Sequence, residues 1–304
     1  MGYINNITIW SLQHAEVIVR AKARTSHFVR RINGLLTCVT YMQPLNIPKT
    51  KDELVGFIKN AFTKAGFSKA VIALSGGVDS ATSLALTVEA LGVSNVFPLL
   101  LPYGNLYPQS VVDARGVIQT FNIPKDNVRI VDIQPLVDPV LQLDCVIDNI
   151  RKGNIMARMR MIVLFDHAKK RNALVVGTEN KSEQLLGYFT RFGDEASDVE
   201  PLRNLYKTQV LELAKHLVIP EPILTKPPTA GLWEGQTDEG ELGFSYKDAD
   251  EILYQLYDLK KTIEEVVASG LNKDIVEKVQ IRALQNNFKH HLPAVLESQG
   301  IPSY

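Results

Sequence analysis

A short apolar segment that ends in paired glycines strongly limits the folds open to this sequence. Residues 69–74 read KAVIAL and residues 75–80 read SGGVDS. A brief, continuous apolar run is typical of a buried parallel strand, and the glycines after it indicate a tight turn. Residues 80–91 are then small and apolar throughout, which favours a helix. The sequence therefore predicts a strand, a glycine turn and a helix in succession.

Strand-like and helix-like segments alternate along much of the remaining chain. We predict strands at residues 96–102, 128–133 and 173–178, a long helix at residues 155–170, and an earlier helix whose start is marked by a capping box of Thr50 and Glu53. Strands that alternate with helices form a parallel sheet with right-handed crossovers and helices on both faces. Ligands in such sheets bind beyond the carboxyl ends of the strands. The glycine turn is therefore expected at the binding edge.

Composition argues against several other classes of protein. The 304 residues are 45% hydrophobic and 22% charged, and 33 Lys and Arg residues match 33 Asp and Glu residues. Such a chain has no overall attraction to nucleic acid or to anionic lipid. Its only cysteines, Cys38 and Cys145, do not make a disulfide framework or a zinc site, which favours a reducing, cytoplasmic location. No apolar stretch approaches the roughly 20 residues that cross a bilayer, so no membrane partner is expected.

Residues 1–44 differ in composition from the rest of the chain. Their five Lys and Arg residues between positions 20 and 31 face a single acid, Glu16. An Arg-rich, acid-poor start is compatible with a transit peptide, with a non-core or disordered extension, and with a start codon placed too early. We predict that residues 1–44 are an N-terminal extension and that residues 45–304 form the main domain.

The SGGVDS turn carries the groups that a phosphate requires. Gly76 and Gly77 allow close approach of an anion, and the following helix offers free N–H groups and a positive dipole end. Ser75 and Ser80 add hydroxyl donors, and Asp79 offers an oxygen ligand suited to Mg²⁺. The alternative is that the glycines serve only the turn and that Asp79 or Ser80 caps the helix.

The same string resembles the signature loop of the ATP pyrophosphatases, the PP-loop superfamily. It lacks the GK[ST] ending of the Walker-type loop. The resemblance implies adenylation: an oxygen of the substrate attacks the α-phosphate of ATP, pyrophosphate leaves, and a nucleophile then displaces AMP. GMP, argininosuccinate and asparagine synthetases and tRNA thiolases share this loop. It therefore indicates the chemistry and leaves the substrate open.

Three later strings carry polar residues suited to a substrate site. In GTENKSE at residues 177–183, Glu183 is a second acid expected near Asp79, and two converging carboxylates suit Mg²⁺; a capped helix start is the alternative. Residues 186–202 mix charged and aromatic side chains, which suits a ligand with an aromatic ring and phosphates, although a solvated loop also explains them. The Pro- and Gly-rich residues 226–243 are either disordered or functional. We expect them to form a lid that orders over nucleotide and excludes water.

Together these strings closely resemble the ammonia-dependent NAD synthetase family, from about Lys51 to Pro293. The resemblance implies a Rossmann-like, doubly wound α/β fold of the adenine nucleotide alpha hydrolase-like type. It also implies a homodimer that binds deamido-NAD near the subunit interface. The implied activity is ATP-dependent amidation of deamido-NAD to NAD with ammonia, through an acyl-adenylate, with release of AMP and pyrophosphate.

The resemblance further implies roles for individual residues. ATP would be bound by Ala73, Leu74, Ser75, Gly76, Gly77, Val78, Asp79, Ser80, Thr178, Lys207 and Thr229, Mg²⁺ by Asp79 and Glu183, and deamido-NAD by Arg158, Arg191, Asp198 and Lys289. Asp79, Lys207 and Asp198 would be catalytic, and Asp198 is a candidate general base if it lies within hydrogen-bond reach of the incoming nitrogen. From the residues alone, Arg158 is equally compatible with an exposed helix arginine, and Lys207 with a surface lysine.

Two positions depart from the family pattern. Arg191 stands where bacterial relatives often carry lysine, and the planar fork of arginine is not equivalent to an ammonium group. Phe288 occupies the first position of a His-Lys pair and cannot donate a hydrogen bond. Only Lys289 of that pair is therefore retained as a predicted contact.

The source of nitrogen and two rival functions remain to be weighed. Glutamine-using relatives carry a long amidase domain before the SGG loop, whereas 74 residues precede Ser75 here, so we expect free ammonia or a separate glutaminase as the supplier. The first rival, a tRNA thiolase, would require catalytic cysteines and a basic RNA surface. The neutral net charge and the two cysteines of this chain argue against it. A nucleotide-binding sensor without turnover is the second rival, and the joint presence of Asp79, Glu183, Lys207 and Thr229 argues against it.

Overall fold

The computed structural model of this chain describes residues 27–32, 35–144 and 146–291. Strands β1 (His27–Ile32) and β2 (Leu35–Thr40) pair antiparallel within the predicted N-terminal extension. Cys145 and most of that extension lie outside the described residues. The predicted boundary between residues 1–44 and a NAD synthetase domain at residues 45–304 therefore stays a prediction.

The main sheet has four parallel strands, as the sequence predicts. They are β3 (Ala70–Ala73), β4 (Val96–Leu100), β5 (Arg129–Ile130) and β6 (Leu174–Val176), in the spatial order β5-β4-β3-β6. Val71 of β3 lies level with Phe97 on one side and with Val175 on the other. The chain thus moves from β3 through β4 to β5 and returns to β6 on the opposite side. This reversal puts the carboxyl end of β3 at a topological switch point, where open α/β sheets bind ligands.

Helices connect and follow the strands. Their bounds are Ile47–Ala65, Val78–Leu91, Pro108–Thr120, Gln134–Leu141, Asn149–Arg171, Lys181–Leu186, Lys207–His216, Glu221–Thr225, Asp238–Leu242, Tyr246–Leu253, Ile263–Ala268 and Lys273–Asn286, with a π-helical turn at Tyr254–Asp258 and short 3₁₀ turns at Val93–Asn95, Lys125–Asn127 and Asn287–His290. No helix in the described ranges combines the length and the apolar character needed to span a membrane.

The sheet is covered on both faces, which makes the fold doubly wound. Ile72 of β3 packs with Phe62 in a core cluster on one face. Its neighbour Val71 packs with Leu99 and Met156 in a second cluster on the other face. Successive strand side chains point to opposite faces, and a strand apolar at every position is therefore buried on both. This explains why β3 is a continuous apolar run.

Several predicted boundaries differ from those observed. The strands predicted at residues 96–102, 128–133 and 173–178 are present as β4, β5 and β6, but each is shorter. β5 keeps only two residues because it lies at the edge of the sheet, and both of them are exposed. The long helix extends to Asn149–Arg171, beyond the predicted residues 155–170.

The predicted capping box of Thr50 and Glu53 is wrong. The first helix of the main domain begins at Ile47, with Pro48 in its first turn, and the Asn46 side chain accepts a hydrogen bond from a first-turn amide at 3.3 Å. The amide of Thr50 donates to the carbonyl oxygen of Asn46 at 2.8 Å, so Thr50 is already inside the helix. Asparagine is a strong N-cap and proline is well tolerated in the first turn, which together start the helix earlier.

The described part of the chain forms two compact units. One holds β1, β2 and Lys247–Gln280; within it the Met42 amide donates to a Glu251 carboxylate oxygen at 3.0 Å. The other holds Leu45–Tyr246 and the residues from Ile281 onward, and it carries the parallel sheet. The glycine turn and all the predicted site residues belong to this second unit.

Replacement of the observed cap gives a direct check on where the first helix starts. We expect Asn46→Ala to lower the free energy of unfolding by about 1 kcal/mol, because a first-turn amide loses its acceptor. Thr50→Ala removes no cap and is expected to leave stability within about 0.5 kcal/mol. Chemical denaturation of both variants measures the difference. An equal loss for Thr50→Ala would place the helix start where the sequence pattern put it.

Candidate active site

The glycine turn is held in shape by its own serines. The Ser80 hydroxyl donates to the carbonyl oxygen of Gly77 at 3.0 Å and lies 3.0 Å from the Ser75 hydroxyl, which accepts from the Gly77 amide at 3.2 Å. Gly77 is the N-cap of helix Val78–Leu91 and has no side chain to cap it, so the alternative in which Asp79 or Ser80 is the cap is wrong. The free first-turn amides and the helix dipole favour an anion at this turn.

Gly76 must be glycine for two reasons. Its φ of +78° lies in the left-handed region, which favours glycine. A Cβ atom at this position would also lie 2.3 Å from the carbonyl oxygen of Ser110, at the start of helix Pro108–Thr120. The turn is therefore pressed against that helix and cannot open without moving it.

Two predicted metal ligands and a predicted ATP contact form one cluster. The Lys207 ammonium nitrogen lies 2.5 Å from Asp79 Oδ2 and 3.0 Å from Glu183 Oε1. The side chains of Lys207, Asp79 and Glu183 are 11%, 15% and 17% exposed. The alternative interpretation of Lys207 as a surface lysine is therefore wrong. Three residues that are far apart in sequence meet beside the glycine turn.

Neighbouring groups fix the members of this cluster. The Asn180 amide group donates to Asp79 Oδ1 at 3.0 Å, and its oxygen accepts from the Glu183 amide at 3.0 Å as the cap of helix Lys181–Leu186. The Lys207 amide donates to the Ser182 hydroxyl at 2.8 Å. Asn180 has a role that the sequence analysis missed. Its only sequence signal is that asparagine is a preferred residue at a helix start.

The electrostatics of the cluster favour a cation. Burial alone would lower the pKa of Lys207, but the Asp79 and Glu183 carboxylates raise it above its ordinary value. Burial raises the pKa of the Glu183 carboxyl, and the Lys207 ammonium opposes that shift. Asp238, which is 4% exposed, adds a further negative charge. Burial raises the pKa of Glu183 and Asp238 and so disfavours their charged forms, and a further positive group bound beside them would favour those charged forms.

The donor chemistry of the cluster fits Mg²⁺. Asp79 and Glu183 offer the hard carboxylate oxygens that this ion prefers, and they converge on a common position now filled by the Lys207 ammonium. Within residues 27–32, 35–144 and 146–291, no three His, Cys, Asp or Glu side chains are grouped as a metal site. An ion held by Asp79 and Glu183 would have to displace the Lys207 ammonium from between them, and it would complete its shell with phosphate oxygens and water.

Other predicted ATP contacts lie on nearby segments. Ala73 ends β3, and the Leu74 amide donates to the Leu99 carbonyl at 2.8 Å, so both belong to the sheet that supports the turn. Thr178 follows the end of β6. The Thr229 hydroxyl donates to the Gln236 carbonyl at 2.8 Å and shapes the loop at residues 226–243. The assignment of ATP contacts to these residues stays a prediction.

Three predicted substrate contacts converge on the segment that follows helix Lys181–Leu186. Lys289 donates to the carbonyl oxygens of Gly187 and Phe189 at 2.6 and 2.9 Å. Arg158, which is exposed, donates to the Arg191 carbonyl at 3.3 Å, and the Arg191 guanidinium donates to the carbonyl oxygen of His291. These three cations are thus brought together.

Asp198 is held separately from those cations. It is exposed, and its Oδ2 accepts a hydrogen bond from the Val175 amide of β6 at 2.7 Å. One carboxylate oxygen is therefore bonded to the middle residue of β6. The roles predicted for Asp198, in substrate binding and in catalysis, stay predictions.

The loop at residues 226–243 is fixed by hydrogen bonds to Tyr107 and within itself. The Tyr107 hydroxyl donates to the Trp233 carbonyl at 2.5 Å, and the Ala230 amide donates to Asp238 Oδ1 at 3.0 Å. Asp238 starts a short helix capped by Thr237. These contacts order residues 226–243, which we call the lid below after the role predicted for them; that role stays a prediction.

Close packing supports the strand end from which Thr178 and Glu183 follow. A Cβ atom on Gly177 would lie 1.9 Å from Glu200 Oε1. Glu200 in turn accepts from the Ser197 hydroxyl at 2.7 Å and from the Glu179 amide at 3.2 Å. Burial raises the pKa of the Glu200 carboxyl to about 7. Gly177 therefore leaves the space that this carboxyl group occupies.

Comparison with known proteins assigns the sequence and the fold of this chain to one family. A family model described as NAD synthase matches residues 50–293. The NH(3)-dependent NAD(+) synthetase of Pyrococcus furiosus is 46% identical over 255 residues, which are 83% of this chain and 95% of the relative. The enzyme of the same name from Fusobacterium nucleatum is 44% identical over 251 residues, 83% of this chain and 96% of the relative.

Solved structures agree with this result. An NMN synthetase from Francisella tularensis superposes with a TM-score of 0.74 at 33% identity, covering 84% of this chain and 100% of that one. An NH3-dependent NAD synthetase from Campylobacter jejuni gives 0.71 at 31% identity, with coverage of 83% and 100%. A glutamine-dependent NAD+ synthetase from Acinetobacter baumannii gives 0.59 at 27% identity, and the match spans 52% of that longer chain.

The contact between Gly177 and Glu200 predicts how the strand end responds to one added methyl group. We expect Gly177→Ala to lower the free energy of unfolding by about 1–3 kcal/mol, the usual cost of overpacking a filled site. A second change, Glu200→Ser, makes room and is expected to recover part of that loss. Chemical denaturation of Gly177→Ala, Glu200→Ser and the double variant measures these differences.

A matched glycine serves as the control for this substitution. A Cβ atom on Gly116, inside helix Pro108–Thr120, has nothing within 4 Å. Gly116→Ala is therefore expected to stabilise the protein by about 0.5–1 kcal/mol through helix propensity. If Gly177→Ala behaved like Gly116→Ala, the packing described for Glu200 would be refuted.

Proposed function

This chain belongs to the NAD synthase family, and from that premise we propose that it converts deamido-NAD to NAD with ammonia and ATP. The proposal rests on one observation above all. Asp79, Glu183 and Lys207 come from three separate parts of the sequence, and they meet at the glycine turn of a fold shared with an ammonia-dependent relative. A buried, precisely paired charge cluster at the binding edge of a sheet is suited to chemistry on a polyphosphate.

The first step is adenylation of the substrate. A carboxylate oxygen of the nicotinate group attacks the α-phosphorus of ATP, the bond to the bridging oxygen breaks, and pyrophosphate leaves. The Lys207 ammonium and the amides of the glycine turn stabilise negative charge on the phosphates. Mg²⁺, held by Asp79 and Glu183, would supply further charge neutralisation when bound.

The second step forms the amide. Ammonia attacks the acyl carbon of the adenylate, AMP leaves, and one proton is lost from the nitrogen. Asp198 is the candidate acceptor of that proton, and with Oδ2 bound to the Val175 amide, Oδ1 is the oxygen available for it. The folded lid keeps water from the reactive acyl carbon.

Substrate recognition is assigned to the basic segment beside helix Lys181–Leu186. Arg158, Arg191 and Lys289 are gathered there by contacts with backbone carbonyls, so their positions are fixed before a ligand arrives. Fixed cations of this kind suit the phosphates of a dinucleotide. Burial lowers the pKa of Lys289, and an anionic ligand beside it would oppose that shift.

The proposed function also includes the nitrogen donor, the oligomeric state and the cellular location. Ammonia is the preferred nitrogen donor because relatives at 44% and 46% identity are named for it. A homodimer, a cytoplasmic location and a separate glutaminase that supplies ammonia are proposed from the family resemblance and from the sparse cysteines.

A coupled assay tests this function. Purified protein with ATP, Mg²⁺, ammonium and deamido-NAD is expected to yield NAD, AMP and pyrophosphate in equal amounts, resolved by chromatography. Formation of ADP would reject the adenylation mechanism. A parallel reaction with glutamine tests the nitrogen donor. Another with the mononucleotide that bears the same nicotinate carboxylate tests the activity named for the Francisella tularensis neighbour.

Asp79 provides the sharpest test of the cluster. Asp79→Asn keeps the shape of the side chain but removes its charge, and we expect kcat/KM to fall by about 100- to 1000-fold, as for loss of a preorganised electrostatic group. Asp52→Asn is the control, because the Asp52 side chain is 74% exposed. Thermal melting checks that both variants fold. Undiminished turnover by Asp79→Asn would remove this residue from the active site.

A further inference from the structure

Lys226, the first residue of the lid, contacts the phosphate-binding turn directly. Its ammonium nitrogen donates to the carbonyl oxygen of Gly76 at 3.2 Å and to Asp113 Oδ2 at 2.8 Å. Neither contact belongs to the charge cluster around Lys207. Lys226 and Gly76 are 150 residues apart in sequence, so this is a tertiary contact and not a local one.

The ion pair with the buried Asp113 carboxylate holds the Lys226 ammonium in place. The Asp113 side chain is 4% exposed, and its second oxygen accepts from the Gln109 amide group at 2.8 Å. A buried carboxylate is costly unless it is paired, and removal of its cationic partner is strongly unfavourable. The Lys226 side chain, which is 25% exposed, therefore bridges two fixed acceptors.

One of those acceptors is part of the turn, and the other is on the helix that packs against it. Asp113 lies on helix Pro108–Thr120, whose residue Ser110 packs against Gly76 so closely that no Cβ atom would fit. Lys226 thus binds both the Gly76 carbonyl and the helix that packs against Gly76. The farther part of the lid is held separately, through the Trp233 carbonyl and the Tyr107 hydroxyl.

We propose that Lys226 is a positioning residue that latches the lid to the phosphate-binding turn, so that the acyl-adenylate meets ammonia and not water. This inference rests on the proposed function, since it concerns an intermediate of that reaction. The lysine acts through the Gly76 carbonyl and Asp113. It fixes the base of the lid in the closed form that excludes solvent.

If the Lys226 contacts are lost, we expect water to hydrolyse the acyl-adenylate. With the lid loosened, a water oxygen bonds to the acyl carbon, the bond from that carbon to the AMP oxygen breaks, and AMP leaves. Both protons of the water are released to solvent, and the nicotinate carboxylate is regenerated. The net reaction is then hydrolysis of ATP to AMP and pyrophosphate, with no nitrogen consumed. Loss of the latch therefore uncouples AMP release from NAD formation.

The ratio of AMP to NAD measures that uncoupling. We expect a ratio of about one for the unaltered enzyme and about two or more for Lys226→Met, because water then competes with ammonia. Lys226→Arg keeps a cation that reaches both acceptors and is expected to restore a ratio near that of the unaltered enzyme. Lys215→Met, which alters an exposed lysine, is the control. General destabilisation lowers the amount of active enzyme but leaves this ratio unchanged.

A second measurement needs no substrate. Glu234 is exposed on the lid, and cleavage after it by a glutamyl endopeptidase is expected to be faster in Lys226→Met than in the unaltered protein. If Lys226→Met does not fold because Asp113 is left unpaired, the double variant Lys226→Met/Asp113→Asn removes both charges, and faster lid cleavage is expected there too.

The two measurements separate the latch from the proposed function. If the unaltered protein makes no NAD, the proposed function fails, while the cleavage rates still decide whether Lys226 holds the lid. If NAD is made but Lys226→Met, or its folded double variant, shows both an unchanged ratio and unchanged cleavage, the latch is overturned.

Discussion

The structure of the site depends on one ammonium group placed between two carboxylates. Without Lys207, Asp79 and Glu183 would be like charges in partial burial, and their repulsion and desolvation would drive apart the segments that carry them. With it, the helices that begin at Val78, Lys181 and Lys207 are joined at one point. Asn180 reinforces the junction through hydrogen bonds to Asp79 and to the Glu183 amide. Charge pairing therefore sets the local architecture as well as the chemistry.

Rigid packing around the glycine turn complements that charge pairing. Gly76 has no room for a side chain, and the Ser80 hydroxyl closes the turn by a hydrogen bond to the Gly77 carbonyl. At Gly177, the Glu200 carboxyl group occupies the space that a side chain would need. Donors fixed in this way need no reorganisation when phosphate charge develops, which is why preorganised sites stabilise transition states well. Lys226 extends the same fixed packing to the first residue of the lid through its bonds to the Gly76 carbonyl and Asp113.

Much of the fold could be predicted from residues 69–91 and the strands that follow. Apolar runs and glycines act locally, through side-chain periodicity and backbone dihedral angles, so β3, its turn and its helix were assigned correctly. The start of the first helix was assigned wrongly, because Thr50 and Glu53 fit a capping pattern that Asn46 satisfies one turn earlier. Element ends are decided by small differences in capping energy, and sequence patterns resolve these poorly.

The sequence by itself determined the α/β class, the succession of strand, glycine turn and helix, and the family, because these rest on local patterns and on strings of residues in order. Only the tertiary structure decided that Lys207 is buried between Asp79 and Glu183 and that Lys226 binds the Gly76 carbonyl. Lys207 and Asp79 are 128 residues apart, and nothing in the neighbouring sequence of either one specifies the other. Their meeting follows from how helices pack on a twisted sheet, which depends on contacts distributed over the whole domain.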